Sequence, residues 1–205
     1  VIEKEPNMAS TKLYTPKFRV SFPDIFKATQ INGEGTAKYR ISMIFDPTDI
    51  AKDADEQSRW DAIKAAVKQT AIDKWGSEPA VYKKPFKKGD DMKNKETGNV
   101  YDGHEGMIIL RAQSNDRPGL VDAACEPIMD QSDFYGGCYA KATFNFYAWE
   151  HPTQGKGVSA GIQNVMKVAD GETFSGKTSA EDDFTPIASS ASAPAKEATA
   201  DSDLF

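Results

Sequence analysis

From Cys138 to Glu150 the chain alternates without a break, with Cys138, Ala140, Ala142, Phe144, Phe146 and Ala148 on one side and Tyr139, Lys141, Thr143, Asn145, Tyr147 and Trp149 on the other. A period of two sustained over this length predicts a long β-strand with one apolar face, which must find partner strands to cover it. Two earlier segments repeat the pattern. Phe18, Val20 and Phe22 are predicted to face inward with Lys17, Arg19 and Ser21 outward, and Tyr39, Ile41, Met43 and Phe45 inward with Lys38, Arg40 and Ser42 outward. Asp46-Pro47 ends the second of these strands.

The period changes once. Trp60, Ile63, Val67, Ala71 and Trp75 share a helical stripe, so Ser58–Trp75 is predicted as the single long helix, with Ser58 and Asp61 as a capping box, Gly76 as its stop, and both tryptophans as core anchors. Ser77 to His104 is rich in Lys, Gly, Asp and Asn and reads as a long exposed loop, with room for a short hairpin. Further strands are expected over Gly106–Gln113, after Pro118 and near Val158–Val168, with a tight turn at Phe134–Gly137. Short strands, turn signals and one helix point to a mainly β chain folded as a small closed or nearly closed barrel.

Charge divides the 205-residue chain unevenly. Its formal charge is −6, yet residues 181–205 carry six acids against one lysine, and Met8 to Ala180 holds 23 bases and 23 acids. The body is therefore neutral, and an acidic whole-chain balance does not exclude a nucleic-acid partner for one of its faces. Residues 1–7 are expected to precede a natural start at Met8, residues 8–176 to form the domain, and residues 177–205 to be a flexible acidic tail. The tail is built from small polar residues, Pro and Ala, and cannot bury enough apolar surface to offset the entropy of ordering. It ends in Asp201, Asp203, Leu204 and Phe205, a combination suited to a basic pocket with an apolar floor, and bacterial and phage single-stranded DNA-binding proteins end in this way. Neither a signal peptide nor a membrane-spanning run is expected from the sequence, and Cys125 and Cys138 are expected to be reduced, structural cysteines.

The sequence shows no zinc spacing, nucleophile elbow or phosphate-cradling glycine loop, and His104 and His151 have no recognisable catalytic partners, so no catalytic residue, metal ligand or cofactor is assigned. Asp90-Asp91 and Asp130 with Asp133 read as ordinary turn carboxylates. Holding a single nucleic-acid strand instead needs cations for the phosphates and flat rings for the bases on one shared surface. The outward residues supply both. Tyr139, Tyr147 and Trp149 are candidate stacking platforms, and Lys17, Arg19, Lys38, Arg40, Arg111 and Lys141 candidate phosphate partners. Tyr82, Lys84, Phe86, Lys87 and Lys88, from a loop that interleaves aromatics with lysines, are expected to fold over the long strand.

Several motifs make the reading more specific. FYGGCYAKATFNFYAW (Phe134 to Trp149), GKGVSAGIQNVMKVADGETFSG (Gly155 to Gly176), RPGLVDA (Arg117 to Ala123), KKPFKKGDD (Lys83 to Asp91) and the terminal DSDLF resemble, in this order, a family of tailed-phage single-stranded DNA-binding proteins. The resemblance implies an OB-fold barrel that coats and protects single-stranded DNA during phage replication and recombination in the cytoplasm of the infected bacterium. It also implies an acidic tail that competes with DNA and recruits phage or host replication proteins. The alternative is a non-enzymatic protein-interaction or virion-associated barrel protein. Salt separates the two, because phosphate contacts impose a log–log slope of about −0.7 per phosphate on a single strand and protein docking imposes none. A metal-dependent nuclease is a third class, to be excluded by intact DNA after incubation with Mg or Mn.

Overall fold

The computed structural model describes residues 12–31 and 33–174. The expected leader and the acidic tail, with Asp201, Asp203, Leu204 and Phe205, lie outside the described residues. In chain order the elements are β1 (Leu13–Tyr14), β2 (Phe18–Ile31), β3 (Glu34–Phe45), α1 (Pro47–Lys52), α2 (Ala54–Trp75), β4 (Phe86–Lys88), β5 (Ile108–Ser114), β6 (Gly119–Val121), β7 (Tyr139–His151) and β8 (Gly155–Ala169).

Five of these strands close on themselves. β2 pairs with β3, β3 with β5, β5 with β8, β8 with β7, and β7 returns to β2. The β5–β8 contact is parallel, with Ala112 opposite Ala160, and the other four are antiparallel. This ring is the five-stranded barrel of the OB fold. β1 extends it beside β7, β6 beside β8 and β4 beside β5.

Alternation fills the interior. Phe18 and Val20 of β2, Ile41, Met43 and Phe45 of β3, Leu110 and Ala112 of β5, Ala140 to Phe146 on alternate positions of β7, and Val158, Ala160 and Ile162 of β8 are all buried. Helix α2 adds Trp60, Ile63, Val67 and Ala71 at helical spacing and packs against β1, β7 and β8. A run of rings joins helix to barrel: Phe45 lies 5.0 Å from Trp60, Trp60 5.5 Å from Phe86, and Phe86 6.4 Å from Phe146, centroid to centroid. Both cysteines are free, and burial pushes the Cys138 thiol up, which keeps it protonated and unreactive.

Three expectations need correction. The helix begins four residues earlier than its apolar stripe suggests, because Asp53, and not Ser58, is the N-cap: its carboxylate accepts from the backbone N–H groups of Asp55 and Glu56. Gly76 does end it, in the left-handed conformation at φ 77°. Trp75 packs against the core but is only half-buried, and its indole N–H donates to Glu150 at the helix end. Phe22 does not join Phe18 and Val20 inside. The β2–β3 register shifts between Ser21 and Asp24, Phe22 takes φ 46°, and its ring turns outward, 46% exposed. Positive φ at a bulky residue is a steric outlier, and a bulge here reverses the side of the sheet on which the ring falls.

The cap assignment is directly testable by urea unfolding. Asp53→Ala should lower stability by about 0.5–2 kcal/mol, whereas Ser58→Ala, on an exposed position inside the helix, should stay within about 0.5 kcal/mol of the parent.

Candidate nucleic-acid interface

Strand register decides which outward side chains meet. Arg40 stands opposite Gln113 and Ser42 opposite Arg111 across β3 and β5; Ser21 faces Ser42 from β2; and across β7 and β8 Tyr147 faces Ser159 and Asn145 faces Gly161. These pairs line up as one band across the outside of the barrel. Its centre is a cleft of about 420 Å³ lined by Phe22, Asp24, Arg40, Ser42, Arg111 and Gln113, with Ser159 at the β8 side.

The residues around the cleft are held in place. Arg40 donates to the Thr29 carbonyl, to Thr29 Oγ1 at 3.1 Å and to the Lys38 carbonyl at 3.3 Å, so the β2–β3 hairpin fixes its guanidinium. Arg111 is exposed and touches the Met92 sulfur at 3.5 Å. Gln113 donates through Nε2 to the Tyr147 hydroxyl at 2.9 Å, a bond that reaches across β8, and leaves the Tyr147 ring 37% exposed. The Trp149 indole donates to Ser159 Oγ at 2.9 Å and lies over Gly157, where a Cβ would collide with ring atoms Cζ2 and Cε2. Gly157 is therefore part of the platform, since only the bare backbone lets the indole lie flat on β8. Asp24 is the acid of this cleft, and its carboxylate accepts from Thr29 Oγ1 at 3.0 Å.

The lysine-rich loop approaches the same region from one side. Lys83 pairs its backbone with Lys156 and Val158 at the start of β8, and its ammonium lies 5.9 Å from the Trp149 ring centre. Lys84 sits 5.6 Å from the ring of Tyr82, whose phenol is pushed up to about 12 by burial and by its hydrogen bond to Glu78. Lys87 and Lys88 are exposed on β4. Phe86 turns toward Trp60 and Phe146, so its ring packs against the core and is only partly exposed.

Four of the expected residues lie away from the cleft. Lys141 pairs with Glu56 of α2 at 2.8 Å, and the Lys17 backbone donates to the same carboxylate at 2.6 Å. The Lys17 ammonium lies 5.4 Å from the Tyr139 ring, which also borders Gly171. Arg19 donates to the Gly137 and Glu172 carbonyls and covers the Phe174 ring at 4.2 Å. These groups fasten the helix start and the segment after β8. Outward parity along β7 holds for its whole length, but α2 and residues 170–174 cover its first half. Arg40, Arg111, Tyr147 and Trp149 are the expected residues that the fold brings together, with Lys38 next to Arg40 on the hairpin. Phe22, Ser42, Gln113 and Ser159 escaped the sequence reading. Pro23 after Phe22 is the signal for the bulge, and Gly157 and Gly161 inside a strand mark a close approach.

Known proteins match both sequence and fold. Residues 11–197 match the model of the family described as the single-stranded DNA-binding protein of Enterobacter phage Enc34. The chain belongs to that family. A curated relative, putative protein p50 of Acyrthosiphon pisum secondary endosymbiont phage 1, is 32% identical over 178 residues, covering 80% of this chain and 87% of its own. Among solved structures, the bacteriophage Enc34 single-stranded DNA-binding protein in complex with single-stranded DNA has a TM-score of 0.66 at 20% identity, over 80% of this chain and 89% of that one. The single-stranded DNA-binding protein gp2.5 of bacteriophage T7 has a TM-score of 0.54 at 15% identity, over 92% of this chain and all of its own. At these identities the two structures establish a shared fold.

The Trp149 seat gives a structural prediction. Gly157→Ala should tip the indole off β8, cost about 1–3 kcal/mol in urea unfolding, and raise acrylamide quenching of tryptophan fluorescence. Unchanged quenching and stability would mean that the indole does not rest on Gly157.

Proposed function

We propose that the chain binds single-stranded DNA, with little regard to sequence, along the band from Phe22 through Arg40 and Arg111 to Tyr147 and Trp149. The observation that carries this is one cleft lined by two guanidiniums and the exposed Phe22 ring, with Tyr147 and Trp149 hydrogen-bonded to its lining residues Gln113 and Ser159, on the barrel of a chain from this family. Phosphates would lie on Arg40 and Arg111, with Lys38, Lys83 and Lys84 at the margins. Bases would stack on Phe22, Tyr147 and Trp149 at about 1–3 kcal/mol each. Stacking accepts every base because every base has a π-face, and two guanidiniums against one carboxylate, Asp24, leave the cleft lining net positive.

In this reading the protein coats and protects single strands during phage replication and recombination in the cytoplasm of the infected host. The tail, residues 177–205, competes with DNA for the cationic cleft, and once displaced it recruits replication proteins through Asp201, Asp203, Leu204 and Phe205. The charge distribution supports this, since residues 181–205, with six acids against one lysine, carry −5 of the chain's −6 formal charge. No helix among the described residues is long and apolar enough to cross a membrane.

Fluorescence anisotropy of labelled oligothymidine over a salt series tests the assignment, with the full chain set beside a version ending at Ala180. The full chain should bind with a falling log–log salt dependence, and truncation should tighten binding. Arg40→Ala and Arg111→Ala should each flatten the slope by about 0.7, whereas Lys141→Ala, whose ammonium is paired with Glu56, should leave the slope unchanged. Absence of any salt-dependent binding would favour a protein-docking barrel, and equal binding with and without the tail would remove the competing role.

A further inference from the structure

A second cleft, of about 610 Å³, opens beside the first and shares Phe22 with it. It lies between the β2 bulge, the loop that precedes β5 and the segment that follows β8. Its size is within the range of small-molecule pockets. Its walls are aromatic: Phe22 meets Tyr101 edge-on at 5.1 Å, and His104 lies 5.8 Å from both Tyr101 and Phe174.

The imidazole at the base of this cluster is fixed. His104 is 1% exposed, and its Nδ1 lies 2.9 Å from the Asp102 carbonyl oxygen, which can only accept, so Nδ1 carries the proton. Ser21 Oγ sits 3.2 Å from Nε2, placed to donate to it. A ring held at both nitrogens cannot swing, and Phe22, Tyr101 and Phe174 pack around it. The positive φ of Phe22 is part of the same construction, because that strain is what aims the ring between the two clefts.

Chemistry separates the clefts. The first contains Arg40 and Arg111; among the described residues lining the second, none is a lysine or an arginine. Asn94, Thr97 and Asn99 bring amide and hydroxyl groups to its rim, and Asp102 is its one acid. Arg19 stacks on Phe174 at one wall, but it is committed to the Gly137 and Glu172 carbonyls and does not line the cleft, so a phosphate would meet no lining cation there. A flat, uncharged group with hydrogen-bonding edges would find ring faces and polar partners together.

We infer that the second cleft holds one nucleobase of the bound strand, turned over Phe22 out of the first cleft while its phosphates stay on Arg40 and Arg111. The inference rests on the single-stranded DNA reading and adds a site to it. Continuity through Phe22 is what selects this occupant, since a strand lying on the first cleft passes directly over the shared ring.

Two variants of the full chain act on the site in opposite ways. Phe22→Gly removes the ring and suits the positive φ. Gly136→Leu fills the cleft: a Cβ at Gly136 would have only Phe174 Cδ2 near it, at 3.8 Å, so the larger side chain has room to enter. Each would be titrated by anisotropy, at one salt concentration, with oligothymidine and with an abasic oligonucleotide of the same length. Both variants should weaken oligothymidine binding by about 5- to 100-fold and abasic binding by less than about twofold. Equal losses on the two probes, or a loss confined to Phe22→Gly, which borders both clefts, would overturn the base pocket while wild-type binding left the wider reading standing. Failure of the wild-type chain to bind oligothymidine at all would overturn both.

Discussion

The pairing of β7 with β8, from Tyr139 opposite Ala169 to His151 opposite Gly155, holds the molecule in its shape. β7 also turns its first residues to β2, with Phe18 opposite Ala140, and β8 turns to β5 in parallel. Without those two returns the sheet would have long open edges and an unclosed apolar face. Closure satisfies the edges and defines an inside. It also constrains size: Ala140 stands opposite Phe18 where β7 meets β2, with Ala142 beside Thr15 next along, while Phe144 and Phe146 fill further along. Varying small and large inward residues is how a small barrel fits its taper.

Once the ring is closed, the outside becomes the functional question, and most of it is already taken. Helix α2 covers one stretch, anchored by Glu56 to Lys141 and to the Lys17 backbone. The loop before β5 and the segment after β8 cover another, where Ile44 and Ile109, paired and pointing outward, are buried beneath Met92, Tyr101, Met107 and Phe174. What stays open is the band between these two covers. Its position follows from register and from two added layers, not from any single residue.

This explains which features were legible in the sequence. The strands were, because period-two alternation is local, and the stripe Trp60–Ile63–Val67–Ala71 and the stop at Gly76 were, for the same reason. The OB-fold ring was implied by the family resemblance, and the order of its strands comes from the structure, since which strand neighbours which is not written in any one segment. Parity alone placed the side chains of the candidate site: it put Arg40, Arg111, Tyr147 and Trp149 on the outside, where the structure has them. Parity says nothing about what lies on top, so Arg19, Tyr139 and Lys141 were grouped with them although other elements cover them. Phe22 failed in the opposite sense. It fits the alternation of Phe18 and Val20 perfectly, and only backbone geometry, a register shift followed by Pro23, turns it out.

The arginines and lysines near the cleft differ in how much freedom they still have to lose. Arg40 is anchored through three acceptors on its own hairpin, so most of its rotamer entropy is spent during folding. Ordering a free long side chain on binding costs about 0.5–1.5 kcal/mol, which offsets much of a single exposed charge contact. Lys87 and Lys88 are exposed and incur that cost at the moment of binding. In the proposed function a preorganised guanidinium, together with rings on β7 that are themselves hydrogen-bonded, Tyr147 to Gln113 and Trp149 to Ser159, would set where a strand lies, and the peripheral lysines would add attraction without direction. Under the proposed function that division would suit a surface gripping any sequence, with fixed groups defining the path and mobile charges raising the affinity along it.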